Sequence, residues 1–88
     1  MRILFLGGGN MATALIGGLL QRGLACGDVR VIDVAEPARR LVQGKFGVSA
    51  MAALDAPIVE DLVVLAVKPQ HLHEAAKSLR AYLRGQLV

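Results

Sequence analysis

The clearest indication of how this chain folds is the segment ILFLGGGNMA, residues 3–12. It opens with the continuous apolar run Ile3–Leu6, which has the length of a strand and stops at glycine, as a strand buried on both faces does. Beyond the glycines, apolar residues recur at helical spacing, and Gly23 is placed to cap the helix end. The residues of this stripe are Ala12, Leu15, Ile16, Leu19 and Leu20. The segment predicts a strand, a tight turn and an amphipathic helix.

Further strands are predicted by apolar runs along the rest of the chain. Val29–Val34 is interrupted by Arg30 and carries Asp33 near its carboxyl end, a short strand is expected around Val48, and Leu62–Val67 is the clearest buried run of all. Another apolar run begins at residues 86–88.

Helical patterns separate these strands. Pro37 suits the first turn of a helix that Gly47 ends, and residues 72–83 predict a last helix that stops at Gly85. Residues 51–61 fit either a loop or a broken helix. Strands that alternate with helices imply right-handed crossovers. We therefore predict an α/β domain over residues 1–88, a Rossmann-type parallel sheet with helices on both faces.

The glycines match the pattern G-x-G-x-x-[GA] in one register, with Gly7, Gly9 and Ala12 at the required places. Gly7 lets the chain turn sharply out of the strand, and a side chain at Gly9 would stand where a pyrophosphate approaches the backbone. Ala12 must be small for the helix to pack on the strand. The free N–H groups and the dipole at the helix start favour a dinucleotide pyrophosphate. A tight turn without a ligand is the alternative.

Asp33 comes 21 positions after Ala12, since 33 minus 12 is 21. At a spacing of about 20, an acid after the second strand accepts hydrogen bonds from the adenosine ribose, which would favour NAD. Arg39 and Arg40 lie just downstream and could meet the 2′-phosphate of NADP instead. A strand-end turn or helix cap is an equally open interpretation of Asp33.

Other polar residues give weaker indications. Lys68 follows the apolar run of residues 62–67, at the edge where ligands of parallel sheets bind, but a solvated lysine explains it as well. His71 and His73 point to different faces of a helix, so we expect no metal site. The single cysteine, Cys26, cannot form an internal disulfide and fits a reducing cytoplasm.

Composition limits the possible partners. The net charge is +3, but the ten Lys and Arg residues are scattered among seven acids, and Phe5, Phe46 and Tyr82 are the only aromatic residues. We therefore expect no nucleic-acid partner. An export signal ending at Cys26 is disfavoured, because three glycines and Asn10 interrupt the apolar stretch, and we expect no membrane partner. A chain of 88 residues that is 55% hydrophobic buries its core poorly alone, which suggests a fragment or an oligomer.

Two motifs together resemble one enzyme family. The segment Phe5–Leu19 looks like the opening of pyrroline-5-carboxylate reductases, and the segment AVKPQ, residues 66–70, resembles a later signature of that family, in the right order and spacing. The resemblance implies reduction of 1-pyrroline-5-carboxylate to proline by hydride from NADPH or NADH.

The resemblance also implies which residues bind the cofactor. Leu6, Gly7, Gly8, Gly9, Asn10 and Met11 would wrap the pyrophosphate, with Ala12 next to them in the site, and Ala66, Val67, Lys68 and Pro69 would line the cofactor near its ribose and nicotinamide. Family members often carry a small polar residue and an arginine where this chain has Asp33 and Val34, so a strict preference for NADPH is not expected.

The family continues into a helical domain that forms the dimer and holds the substrate, and we expect that domain to lie outside this chain. No residue is therefore assigned to catalysis, and a homo-oligomer is expected only of the full-length enzyme. Two alternatives remain open. One is another reductase with a similar first domain, of the coenzyme F420-dependent NADP reductase or β-hydroxyacid dehydrogenase type. The other is a regulatory module that senses NAD or a nucleotide without chemistry.

Overall fold

The computed structural model describes residues 1–54, 57–67, 70, 72–80, 82 and 85, with positions 75, 78 and 79 described by their backbone alone. The described residues form four strands and three α-helices, with a 3₁₀ turn at Cys26–Asp28. In chain order they are β1 (Ile3–Leu6), α1 (Asn10–Gln21), β2 (Val29–Ile32), α2 (Glu36–Phe46), β3 (Ser49–Met51), β4 (Leu62–Leu65) and α3 (Leu72–Arg80).

The strands form one parallel sheet in the order β3-β2-β1-β4. Ile3 of β1 is paired with Val29 on one side and with Leu62 on the other, and the register continues without a slip to Leu6. Because all four strands run the same way, their carboxyl ends meet at one edge. The predicted parallel α/β architecture is confirmed.

One face of the sheet packs against α1 and α2. Ile3 and Phe5 alternate onto this face, where they meet Ala12 and Ile16 of α1 and Val42 of α2. Phe5, Ala12, Ile16 and Val42 are all 0% exposed. Burial of the larger of these side chains stabilises the fold by roughly 1.5–3 kcal/mol each.

The opposite face packs against the segment between β3 and β4 and against Tyr82, which follows α3. Its buried residues are Leu4, Leu6, Ile32, Ile58 and Val63. Arg30 also lies on this face, because it pairs in register with Leu4, and its guanidinium forms an ion pair of 2.9 Å with the nearly buried Glu60. Arg30, the one charged residue of strand β2, is therefore neutralised inside the fold.

Glycine ends two of the helices as predicted. The N–H groups of Gly23 and Leu24 donate to the carbonyls of Leu20 and Leu19, a Schellman arrangement in which Gly23 has φ +101°. Gly47, at φ +70°, ends α2 in the same left-handed region. A residue with a β-carbon would be strained at both positions.

Several boundaries differ from the sequence prediction. The third strand is β3, Ser49–Met51, one residue beyond Val48, and described residues 52–54 and 57–61 contain no helix. The fourth strand ends at Leu65 rather than Val67. Ala66 still donates its N–H to Leu6 O at 2.8 Å, so the pairing outlasts the strand by one bond. The run at residues 86–88 lies outside the described residues.

Candidate functional site

The carboxyl ends of β1, β2 and β4 bring together three stretches that lie far apart in sequence. Gly7 N–H donates to Ile32 O at 2.8 Å, and Asp33 N–H donates to Met51 O at 2.9 Å. The glycine turn after β1 thus lies between Asp33 after β2 and Ala66 after β4. This is the edge at which parallel sheets bind their ligands.

Two features require glycine at position 7, namely its backbone conformation and the neighbouring carbonyl of Ala66. Its φ is +103°, which L side chains rarely adopt. A β-carbon built on it would also collide with the carbonyl oxygen of Ala66 and lie 2.8 Å from the carbonyl carbon. The sharp turn predicted for this position is confirmed, and the close approach to β4 adds a second reason for glycine.

Gly8 has a role that the sequence pattern did not predict, because the pattern leaves this position open. It is buried, and its N–H donates to Asp33 Oδ2 at 2.7 Å. An added β-carbon would lie 3.2 Å from Val31 Cγ1. No feature of the local sequence reveals this contact, since it joins residues 25 positions apart.

Gly9 presents the opposite environment. It is exposed, its φ of −79° and ψ of −160° are open to any residue, and an added β-carbon would meet no described atom within 4 Å. Neither the backbone nor the packing of the described residues demands glycine there.

At the start of α1, no acid of the first turn faces the positive end of the helix dipole, and no side-chain cap from the described residues occupies the first backbone N–H groups. Gly9 is its N-cap, no side chain among the described residues caps it, and its first turn contains no acid. Asn10 and Met11 are exposed. The first N–H groups of a helix have no acceptor within that helix. An anion can therefore be held there by backbone donors alone.

Ala12 anchors this helix to the sheet. It is 0% exposed and belongs to the cluster that contains Phe5 and Ile16. The predicted need for a small residue at this position is met, because the start of α1 packs directly on the sheet.

Asp33 uses both carboxylate oxygens locally. Oδ2 accepts the Gly8 N–H, and Oδ1 accepts the Ala35 N–H at 2.8 Å. Arg39 Nη1 donates to the carbonyls of Asp33, at 2.8 Å, and Val34, at 3.0 Å. Val34 itself is 86% exposed. The guanidinium of Arg39 is thus held at the end of β2.

The remaining candidate residues have different surroundings. Arg40 forms an exposed ion pair of 2.6 Å with Glu36, four residues earlier in α2. Ala66 and Val67 follow β4 beside the glycine turn, whereas Lys68, Pro69 and His71 lie outside the described residues. His73 is exposed on α3.

Two other kinds of site receive no support from the described part of the chain. Its residues include no group of three or more His, Cys, Asp or Glu side chains that could hold a metal ion. None of its helices combines the length and the apolar character that crossing a bilayer requires.

The residues present fit a dinucleotide. Its pyrophosphate needs hydrogen-bond donors, a positive dipole and backbone without a side chain, and Gly9, Asn10 and Met11 provide these at the start of α1. The adjacent ends of β2 and β4 extend the surface to either side, as a molecule with two nucleotide halves requires.

Comparisons with known proteins agree with this interpretation. Pyrroline-5-carboxylate reductase of Pseudomonas aeruginosa is 34% identical over 86 residues, which are 97% of this chain and 32% of that protein. Pyrroline-5-carboxylate reductase 2 of Bacillus subtilis is 33% identical over 90 residues, covering 99% of this chain and 32% of the relative. The chain thus spans about a third of the length of these relatives.

A solved structure extends the likeness to the fold. The pyrroline-5-carboxylate reductase of Coxiella burnetii superposes with a TM-score of 0.85 at 30% identity, over 97% of this chain and 32% of that one. The resemblance inferred from the two sequence motifs is confirmed. The family model described as "NADP oxidoreductase coenzyme F420-dependent" matches residues 2–88. The chain belongs to this oxidoreductase family.

Proposed function

We propose that this chain is the NAD(P)H-binding domain of a pyrroline-5-carboxylate reductase, an enzyme that reduces 1-pyrroline-5-carboxylate to proline. The observation that carries the proposal is the uncapped start of α1, where Gly9 is exposed and faces open space among the described residues. The relatives that match nearly all of the chain bear the name of that enzyme.

The glycine turn holds the pyrophosphate. The segment Leu6–Met11 passes from the end of β1 into α1, and N–H groups at the helix start donate to the phosphate oxygens. The helix dipole adds attraction for the negative charge without a basic side chain. A side chain at Gly9 would occupy the space of the phosphates, so its absence is a condition of binding.

The two halves of the cofactor extend from this turn. Asp33 and Val34 lie beside the adenosine half at the end of β2, and Ala66 and Val67 lie beside the ribose and nicotinamide after β4, in a group to which Lys68 and Pro69 are also assigned. The assignment of Lys68 and Pro69 rests on the sequence motif alone. The bound cofactor supplies the hydride, while this chain binds and orients it. None of its residues is assigned to catalysis.

The partners follow from the same proposal. The substrate is the small imine 1-pyrroline-5-carboxylate, held by a helical domain that also forms a homo-oligomer in the full-length enzyme. We propose a cytoplasmic location and no nucleic-acid or membrane partner, because the basic residues are scattered and the reaction belongs to proline biosynthesis.

Calorimetric titration of the chain with NADPH and with NADH tests the proposal. We expect saturable binding that Gly9→Val weakens at least about tenfold, about 1.4 kcal/mol, because the valine side chain excludes the pyrophosphate. Gly44→Val is the matched control, since Gly44 is an exposed position near the end of α2 where an added β-carbon also meets no described atom. Absence of binding to a chain shown by circular dichroism to be folded would overturn the proposal.

A second candidate is a reductase that exchanges hydride between coenzyme F420 and NADP, which the description of the family model favours. Replacing the corresponding third of the Pseudomonas aeruginosa enzyme with this chain separates the two. A chimera that reduces 1-pyrroline-5-carboxylate supports our proposal. A folded chimera that binds NADPH without reducing this substrate favours the second candidate or a sensing module.

A further inference from the structure

The carboxylate of Asp33 already accepts hydrogen bonds from within the fold. Its carboxylate joins two turns, because Oδ2 accepts the N–H of Gly8 at 2.7 Å and Oδ1 accepts the N–H of Ala35 at 2.8 Å. Hydrogen bonds to a carboxylate are the stronger kind and favour one arrangement of the groups they join. The side chain is partly buried between the turns that it connects.

The backbone of Asp33 is held as firmly as its side chain. Its N–H donates to Met51 O at 2.9 Å, and its carbonyl accepts Arg39 Nη1 at 2.8 Å. The carboxylate therefore starts from a fixed point at the end of β2. A fixed acceptor can position the group that donates to it, here the peptide of Gly8.

The packing around Gly8 leaves this peptide little alternative. Even a β-carbon at Gly8 would lie 3.2 Å from Val31 Cγ1 and 3.5 Å from Asp33 Oδ2. Gly8 lies between Gly7, which contacts the end of β4, and Gly9, which caps α1. The orientation of the Gly8 peptide consequently sets where the N–H groups at the start of α1 point.

We propose that Asp33 is a positioning residue for dinucleotide binding, which acts by holding the glycine turn through Gly8 and not by contacting the adenosine ribose. The inference rests on the proposed function, because it concerns the same cofactor. It assigns Asp33 the turn-forming role left open by the sequence and gives that role an effect on affinity. The choice between NADH and NADPH is then not made by this carboxylate.

Affinities for two nucleotides that differ only in the ribose test the proposal. ADP and 2′,3′-dideoxy-ADP carry the same phosphates, so the change in charge on Asp33→Asn affects both alike. If Asp33 acts through the turn, Asp33→Asn weakens both ligands by the same factor, about tenfold. If Asp33 contacts the ribose hydroxyls, the variant weakens ADP and leaves the dideoxy nucleotide unchanged, which would overturn the proposal.

Two further measurements accompany this comparison. One compares the nucleotide affinities of two Asp33 variants, and the other measures hydrogen exchange of the Gly8 amide without ligand. Asn keeps one acceptor oxygen and Ala keeps none, so affinity for both nucleotides should fall in the order wild type, Asp33→Asn, Asp33→Ala. The Gly8 amide should exchange its hydrogen faster in both variants, measured by NMR at a temperature where each is folded. Asp28→Asn, which removes a carboxylate at the amino end of β2, is the matched control and should change neither affinity nor Gly8 exchange.

A wild-type chain that binds neither nucleotide nor NADPH would overturn the proposed function, and this inference with it. A chain that binds both nucleotides, in which Asp33→Asn changes neither affinity nor the Gly8 amide, would overturn the inference alone. Equal loss of both affinities together with faster Gly8 exchange is the result expected.

Discussion

The turns that follow β1 and β2 end at the same edge of the sheet, yet the helices that they lead into differ in the charge at their starts. Within the described part of the chain, neither helix has a side-chain cap, but the first turn of α1, after β1, contains no acid. After β2, Asp33 accepts the Ala35 N–H, and α2 begins with Glu36 followed by Pro37. Arg39 donates hydrogen bonds to the carbonyls of Asp33 and Val34, which precede α2.

This difference distinguishes a structural turn, the one between β2 and α2, from a binding turn, the one between β1 and α1. The second turn meets its own electrostatic needs, because an acid faces the positive helix end and a proline removes one of the unpaired donors. The turn before α1 has neither an acid nor a proline, so the positive helix end and its N–H donors remain available to an anion. Four substitutions break or sharpen this comparison.

The largest effect is expected from Gly7→Ala. The new β-carbon would collide with the carbonyl oxygen of Ala66 at a φ of +103°. We expect the free energy of unfolding to fall by about 3 kcal/mol or more, measured by urea denaturation. Gly27→Ala is the control, because its β-carbon would meet no described atom within 4 Å. Similar losses in the two variants would show that the approach of β4 does not constrain the turn.

Asn10→Asp places an acid at the start of α1, as Glu36 does at the start of α2. Asn10 is the first residue of α1, as Glu36 is of α2. We expect the unfolding free energy to rise by about 0.5 kcal/mol, because the carboxylate meets the positive helix end. Affinity for NADPH should fall about tenfold, about 1.4 kcal/mol, and the loss should shrink in high salt. Unchanged affinity in a titration would mean that the pyrophosphate does not lie there.

Arg39→Gln tests how the structural turn is covered. Its guanidinium holds the carbonyls of Asp33 and Val34, so we expect the unfolding free energy to fall by about 1 kcal/mol. The adjacent Arg40 makes only an exposed ion pair, and Arg40→Gln should cost about 0.3 kcal/mol. Equal costs in thermal or urea denaturation would contradict a special role for Arg39.

Of the four substitutions, Glu36→Gln is expected to have the smallest effect. Removing this charge loses the interaction with the α2 dipole and the exposed pair with Arg40, together about 0.5 kcal/mol of stability. Affinity for NADPH should stay within about twofold, because the first turn of α2 does not bind the pyrophosphate. A large change in affinity in the same titration would show that the two helix ends share the ligand.

Much of the fold could be predicted because its signals are local. The apolar run of β1, the helical spacing of α1 and the glycines at 23 and 47 each act within a few residues, and the structure agrees with them. The end of β4 was predicted too late because the apolar residues 66 and 67 continue the pattern beyond Leu65, the last residue of β4 that pairs in register with β1. Hydrophobicity reports burial and cannot report where a neighbouring strand stops.

The candidate site divides in the same way. The spacing predicts roles for Gly7, Gly9 and Ala12, because each of these roles belongs to one short turn. The bond from Gly8 to Asp33 and the contact of Gly7 with Ala66 were not, because they join strands that become neighbours only in the sheet. For Asp33, spacing left a ribose contact and a turn equally open.

By itself the sequence determined the alternation of strands and helices, the position of the glycine turn and the likeness to a reductase family, because these depend on local patterns. Only the tertiary structure decided which residues that turn touches. The strand order β3-β2-β1-β4 places β1 between β2 and β4, so the glycines meet Asp33 on one side and Ala66 on the other. Strand order depends on the free energy of the whole packed sheet, and no short segment of the chain encodes it.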